Sequence, residues 1–274
     1  MNIQEIVQIL VNSGIEPNEA VCEVKMLIEH FCNYGAKDIL MGRAINYEKL
    51  KIVKHKAELR AKTKQPIQYI IGKAYFMGNY YKVTTDVLIP RDETELVVRE
   101  AIDLININGY KTILDIGTGS GCIACSLSEL TKCKVYAVDI SAKALEIAKI
   151  NAKNLFQNIQ FIESDLFSNI KECSFDLIIS NPPYIPLGTK LQTEVEFEPK
   201  LALFTSEESG CEYYKKIIEQ AKDYLEKNGS IIFELGINQS QTVKELFKSN
   251  GYENIKITKD LSGIDRVISA KFTG

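Results

Sequence analysis

The chain has 274 residues, 45% of them apolar and 25% charged, with 16 Gly and 7 Pro. That composition excludes disordered, collagen-like and low-complexity architectures and leaves one large globular domain or two modest ones. With a net charge of −3, no apolar run near the roughly 18 residues of a membrane span, and no signal or transit pattern at Met1–Glu5, the expected compartment is the cytoplasm.

Residues 1–72 read as helical throughout. Ile3, Ile6, Val7 and Leu10 follow helical spacing. Beyond Gly14, Asn18 is placed to cap a helix striped by Val21, Val24, Leu27, Ile28 and Phe31. A third helix is predicted from Tyr47 to about Lys62. Short helices without strands predict a small all-α N-terminal domain. Residues 1–75 carry 11 Lys+Arg against 8 Asp+Glu, whereas residues 76–274 carry 22 against 28. Between positions 49 and 64, Lys49, Lys51, Lys54, Lys56, Arg60, Lys62 and Lys64 face the single acid Glu58. This run is either a solvated helix face or a surface that docks a partner.

A hairpin linker is expected over 73–91, with Ala74–Met77 and Tyr80–Thr84 flanking a Gly78-Asn79 turn. Pro90 ends an extended segment, and a helix begins near Asp92 or Thr94 and runs to about Ile107. From Lys111 the pattern changes to apolar runs alternating with helices. Strands are predicted at 112–116, 134–138, 159–163, 175–180, 230–235, 254–258 and 265–271, and helices near 121–130, 142–155, 211–227 and 238–250. Such alternation predicts a parallel sheet covered by helices on both faces, filling a domain over 92–274. The last two strands are joined too tightly for a helical crossover, so they should pair antiparallel at the sheet edge.

The first strand, Thr112–Ile116, runs into Gly117-Thr118-Gly119-Ser120-Gly121 and then a helix. This is the opening of a Rossmann-like nucleotide site, where glycines admit positive φ and close approach of a ligand. The second strand ends at Asp139, 22 residues after Gly117, placed to accept hydrogen bonds from both ribose hydroxyls of an adenosine. A dinucleotide loop would carry its third glycine where Cys122 stands, and Asp115 would repel a pyrophosphate. An acid there suits the cationic end of S-adenosylmethionine, leaving NAD as the runner-up cofactor. Cys122-Ile123-Ala124-Cys125 spells CxxC, but no second pair follows and both histidines lie far upstream. Packing cysteines and no metal site are expected.

The fourth strand, Phe175–Ser180, leads into Asn181-Pro182-Pro183-Tyr184. Ligands of open α/β sheets bind at the carboxyl ends of strands, so this loop should face the cofactor. The Asn181 Oδ1 and the Pro182 carbonyl can accept both N–H bonds of a planar NH2 group, and Tyr184 offers an aromatic wall.

With its glycine loop and Asn-Pro-Pro-Tyr, the chain resembles class I methyltransferases that act on exocyclic or amide nitrogen. Gln68-Tyr69-Ile70-Ile71-Gly72, Phe76-x-Gly78, Leu88-Ile89-Pro90-Arg91-Asp92-Glu93-Thr94-Glu95, Phe197-Glu198-Pro199 and Asp260-Leu261-Ser262-Gly263 narrow the resemblance to the release factor glutamine methyltransferase family. It covers nearly the whole chain. It implies an α/β class I methyltransferase fold with a mostly parallel seven-stranded sheet, an antiparallel edge strand and a helical N-terminal domain that docks the substrate. The implied reaction moves a methyl group from S-adenosylmethionine to the side-chain amide nitrogen (N5) of glutamine. The implied target is the Gly-Gly-Gln tripeptide of class I peptide chain release factors. The implied cofactor-binding residues are Gly117, Thr118, Gly119, Ser120, Gly121, Asp139, Leu166 and Asn181, with Asp165 near the adenine. Asn181, Pro182 and Tyr184 are the implied catalytic residues, and with Pro183 they bind substrate. Asp92 departs from the proline usual in the family and can serve as an N-cap. Leu166 stands where some relatives carry Trp, which keeps apolar contact but loses stacking.

The nearest alternative is glutamine methylation of a ribosomal protein, whose enzymes carry a Ser-Pro segment in place of Glu93-Thr94-Glu95. Adenine-N6 methylation of DNA uses the same donor but needs a basic groove. The acidic balance of residues 76–274 speaks against it, and neither a membrane nor a nucleic-acid partner is expected.

Overall fold

The computed structural model describes residues 2–171 and 174–274. Two compact units emerge, Met1–Lys73 with Leu191–Phe197, and Ala74–Lys190 with Glu198–Gly274.

The first unit holds helices α1 (Ile3–Asn12), α2 (Pro17–Cys32), α3 (Ala36–Leu40), α4 (Tyr47–Thr63) and α5 (Ile67–Ile71). Ile6 and Leu10 of α1, Val24 and Leu27 of α2, and Val53 and Ala57 of α4 are fully buried in one cluster. The expected cap at Asn18 is corrected. Pro17 opens α2, and the Glu16 carboxylate accepts the Asn18 and Glu19 N–H groups. A proline's fixed φ suits the first helical position, so the cap and the helix start lie two residues earlier. The basic run is also thinner than it reads. Arg60 is 2% exposed, its guanidinium donating to Glu23 at 3.0–3.1 Å and to Glu194 at 3.2 Å. Lys49 donates to the Cys32 carbonyl, and Lys56 lies over the Phe31 ring.

The second unit opens with a hairpin, β1 (Lys73–Phe76) and β2 (Asn79–Lys82), followed by α6 (Asp92–Asn108). Phe76 and Tyr81 are buried and the Tyr81 hydroxyl meets Ser126 at 3.1 Å. Then come β3 (Thr112–Ile116), α7 (Cys122–Leu130), β4 (Lys134–Asp139), α8 (Ala142–Asn154), β5 (Ile159–Glu163) and β6 (Phe175–Ser180). The short β7 (Ile185–Pro186), α9 (Lys200–Leu203) and β8 (Phe204–Thr205) precede α10 (Glu212–Ala221), β9 (Leu225–Glu234), α11 (Ser240–Ser249), β10 (Tyr252–Lys259) and β11 (Asp265–Phe272).

The main sheet is seven-stranded in the order β10-β11-β9-β6-β3-β4-β5. Strands β9, β6, β3, β4 and β5 are parallel, and β11 runs antiparallel to both neighbours. The expected antiparallel pair forms the sheet edge, with β11 inserted between β9 and β10. Successive residues of β3 serve opposite faces. Ile113 packs beneath α6 and α7, whereas Leu114 packs with Tyr214 of α10 and Phe247 of α11. Burial on both faces explains why these strands read as continuous apolar runs. Strand order reverses between β3 and β6, which opens a crevice at their carboxyl ends. Among the described residues, no helix is long and apolar enough to cross a membrane.

Candidate active site

The loop after β3 is tied to β4. The Gly117 and Thr118 N–H groups both donate to the Val138 carbonyl at 2.9 Å. Gly117 lines the cleft with φ of +72°, a conformation that strains any side chain even though a Cβ there would meet no atom within 4 Å. Gly121 serves packing instead, since a Cβ would come within 3.0 Å of the Ala148 side chain on α8.

A solvent-open cleft lies at the carboxyl ends of β3, β4 and β6. Its lining includes Gly117, Gly119, Asp139, Leu166, Asn181, Pro182 and Pro183, together with Asp165. Thr118, Ser120 and Gly121 turn away from it. The Thr118 hydroxyl donates to Asp115 at 2.6 Å, and the Ser120 carbonyl accepts from the Asn151 amide at 2.8 Å. Asn151 also pairs with both backbone groups of Lys82, so one side chain joins the hairpin to the glycine loop.

Asp139 ends β4 with both carboxylate oxygens engaged. Oδ2 accepts the Gly119 N–H at 2.8 Å and Oδ1 accepts the Ser141 N–H at 2.9 Å. A carboxylate offers about four acceptor positions, so each oxygen retains one for a ribose hydroxyl. Burial pushes its acidity below that of a free aspartate, opposed by these backbone donors. The charged lining residues are Asp86, Asp139 and Asp165, without Lys or Arg. An anionic cleft fits the sulfonium and ammonium charges of S-adenosylmethionine and repels the pyrophosphate of NAD.

Asp115 does not line this cleft. It is fully buried, its Oδ1 has no hydrogen-bond partner among the described residues, and burial pushes its pKa up to about 7. In the unfolded chain the same carboxyl ionises near pH 4. Between those values the folded state holds the extra proton, so this group's contribution to stability falls as pH rises through that window. Asp115→Asn keeps the shape and the acceptor for Thr118. It should stabilise the cofactor-free protein by about 1–3 kcal/mol at pH 8 and by little at pH 4. Urea denaturation at the two pH values checks this, and equal shifts at both would contradict it.

The tetrapeptide after β6 is held by Thr94, Glu234 and Gln239, of which the sequence marks only Thr94, as part of a motif and without this role. The Asn181 Nδ2 donates to Thr94 Oγ1 at 3.4 Å, and the Thr94 hydroxyl donates to Glu234 Oε2 at 2.6 Å. Among the described residues, the Asn181 Oδ1 and the Pro182 carbonyl accept no protein hydrogen bond, so both remain for a ligand. Gln239 fixes the far end of the loop, donating to the Tyr184 carbonyl at 3.0 Å. Tyr184 is not part of the cleft lining; its ring packs with the α10–α11 cluster and abuts Gly236, where a Cβ would fall 2.8 Å from the ring. Burial pushes its phenol up to about 12, which leaves no base there at neutral pH. Thr94 and Glu234 lie 140 residues apart, and no spacing rule connects them. The available signal was an acid at the end of a buried strand, at the sheet's ligand-binding edge.

The remaining motifs frame the cleft. Glu198, 4% exposed, pairs with Arg91 and accepts the Ile89 N–H, which ties Phe197-Glu198-Pro199 to Leu88-Ile89-Pro90-Arg91. The expected cap at Asp92 is corrected, because Arg91 occupies the N-cap and Asp92 begins α6. There Asp92, Glu93 and Glu95 complement the positive end of the helix. Cys122 and Cys125 are buried free thiols, and burial pushes Cys122 up to about 12. Neither thiol is activated.

Residues 98–197 match the Methyltransferase small domain family and residues 150–260 match the Eco57I restriction-modification methylase family. The release factor glutamine methyltransferase of Fusobacterium nucleatum is 40% identical over 237 residues, covering 84% of this chain and 67% of that protein. The release factor glutamine methyltransferase of Bacteroides thetaiotaomicron is 36% identical over 273 residues, covering 93% of this chain and 94% of that one. The chain belongs to the release factor glutamine methyltransferase family. As a member, it is an S-adenosylmethionine-dependent methyltransferase. A methyltransferase of Pyrococcus furiosus shares the fold, with a TM-score of 0.55 at 20% identity over 83% of this chain and 98% of that one.

Proposed function

We propose that this protein methylates the side-chain amide nitrogen of the Gly-Gly-Gln glutamine in class I peptide chain release factors. The observation that carries the reading is the pair of free acceptors at the cleft, Asn181 Oδ1 and the Pro182 carbonyl. Gly117, Gly119, Asp139 and Leu166 would hold S-adenosylmethionine, which supplies an electrophilic methyl group bound to sulfonium sulfur. An amide nitrogen is a weak nucleophile because its lone pair is delocalised into the carbonyl. Two acceptors on its N–H groups orient it and stabilise the positive charge that grows on it. A strong base is unnecessary where positioning dominates. A glutamate would bring oxygens against those acceptors and be rejected.

Incubation with methyl-labelled S-adenosylmethionine tests this directly. Label should enter an intact release factor and not the same factor carrying Gln→Ala in its Gly-Gly-Gln tripeptide. Label in adenine-containing DNA or a ribosomal protein instead would overturn the reading.

A tripeptide in a glycine-rich loop offers little surface, so recognition should draw on a second contact. We assign that contact to the helical N-terminal unit, where Lys51 and Lys62 are exposed and Lys54 is half-buried. Lys51 and Lys54 pair with neighbouring Glu48 and Glu58 in exposed contacts that water screens. Rim charges chiefly accelerate encounter. Changing Lys51, Lys54 and Lys62 together to Glu should therefore slow methylation of the intact factor about tenfold at low salt, and less at high salt. A short Gly-Gly-Gln peptide should react as before. Equal effects on both substrates, or none on either, would show the face to be merely solvated.

A further inference from the structure

The short chain of hydrogen bonds behind Asn181 has a direction, and the direction decides what the site accepts. Glu234 sits at the end of β9, 2% exposed, beneath Thr94 in the first turn of α6. An ionised carboxylate can only accept, so the Thr94 hydroxyl must donate to it. The Thr94 oxygen can then only receive from Asn181, which turns the Asn181 NH2 toward Thr94 and leaves Oδ1 for the substrate. A side-chain amide could otherwise sit either way round.

We propose that Glu234 and Thr94 are positioning residues that lock the Asn181 amide with its oxygen toward the substrate, so that the site takes an amide and refuses a carboxylate. This rests on the reading of Asn181 as acceptor for the glutamine NH2.

Protonated Glu234 could donate to Thr94, and the Thr94 proton could then turn toward Asn181. The amide would be free to flip and present its NH2 to the substrate. Burial pushes the pKa of Glu234 up to about 7, so the device titrates in the neutral range. The groups that face it are Glu93 and Arg91 at the start of α6, Arg266 of β11, Tyr184 after β6, Tyr214 of α10 and Cys122 of α7. Burial and Glu93 favour the protonated form, and Thr94, Arg266 and Arg91 favour the ionised one.

Three variants of the full-length protein test this. Thr94→Val cannot relay and should lower kcat on the release factor about 10–100-fold, the range for one misplaced positioning group. Cofactor affinity by calorimetry should stay within about threefold of wild type. Thr94→Ser restores the hydroxyl and should recover most of kcat. Glu234→Gln can donate as well as accept, so it should lower kcat and remove the rise of activity with pH near 7. It should also bind a Gly-Gly-Glu peptide more tightly than wild type does.

Thr94→Ser as impaired as Thr94→Val, or Thr94→Val as active as wild type, would overturn the proposal. So would a pH profile that Glu234→Gln leaves unchanged. The side-chain amide resonances of Asn181 give a readout independent of turnover. They should move with pH near 7 in wild type and stay still in Glu234→Gln. If wild type fails to methylate glutamine yet these resonances respond, the substrate reading fails and the relay stands. If wild type methylates and they do not respond, the relay fails alone.

Discussion

Asn181→Ala should lower kcat for glutamine methylation by about 10²–10³-fold, the cost of losing one preorganised group aimed at developing charge. Cofactor affinity should change little. The reason lies in what each atom of Asn181 does. Nδ2 is committed to Thr94, and Oδ1 is free at the cleft for the substrate nitrogen. Alanine removes the acceptor that orients the amide and leaves Asp139 and the glycine loop intact. Tyr184→Phe is the contrasting variant. No hydrogen bond of the Tyr184 hydroxyl to another described residue is present, and its ring packs in the α10–α11 cluster. A substantial share of the activity should survive its loss. Single-turnover rates and calorimetric cofactor titration of both variants measure the contrast. A Tyr184→Phe protein as inactive as Asn181→Ala would mean that the hydroxyl takes part.

The second large effect is expected at Asp139. Asp139→Ala removes two charge-assisted acceptors for the ribose hydroxyls, worth about 2–3 kcal/mol together, and should weaken cofactor binding about 30–150-fold. The substitution also frees the Gly119 and Ser141 N–H groups, which the carboxylate now holds at 2.8 and 2.9 Å. Part of the loss will therefore be loosening of the glycine loop. Asp139→Asn separates the contributions, since its oxygen can keep one of these bonds while its NH2 cannot accept the other. It should fall between wild type and alanine. Unchanged affinity in Asp139→Ala would remove Asp139 from the site.

Much of this was legible before any coordinates. Strands β3 and β6 have the predicted ends because their residues are mostly buried and bounded by turn residues, and the edge strand β5 keeps its predicted ends too, although none of its residues is fully buried. The region after α10 was not. The pattern there predicts a helix continuing to residue 227, but α10 ends at Ala221 and β9 starts at Leu225. The sequence Glu226-Lys227-Asn228-Gly229 is polar and carries no apolar alternation, and β6 pairs with Leu225 before it and Ser230 after it across an irregularity. The α2 start differs from the reading because the Glu16 carboxylate and Pro17 set it ahead of Asn18, whereas α6 begins at Asp92 as read and only the cap position moves to Arg91. Arg60 looked like one more cation in a basic run because its partners, Glu23 and Glu194, are 37 and 134 residues distant. Thr94 is legible only as part of a motif, and its bond to Glu234, 140 residues away, is hidden for the same reason. Chemistry carried by a contiguous loop is written in the sequence, whereas chemistry assembled across a sheet appears only once the strands are placed.

The central claim is that two acceptors at the mouth of an anionic cleft select a glutamine side-chain NH2. Tandem mass spectrometry of a release factor treated with this protein and S-adenosylmethionine tests it most directly. One added methyl group is expected on the side-chain nitrogen of the Gly-Gly-Gln glutamine, and none when that residue is glutamate. A methyl group on another residue, or equal methylation of the glutamate form, would contradict it.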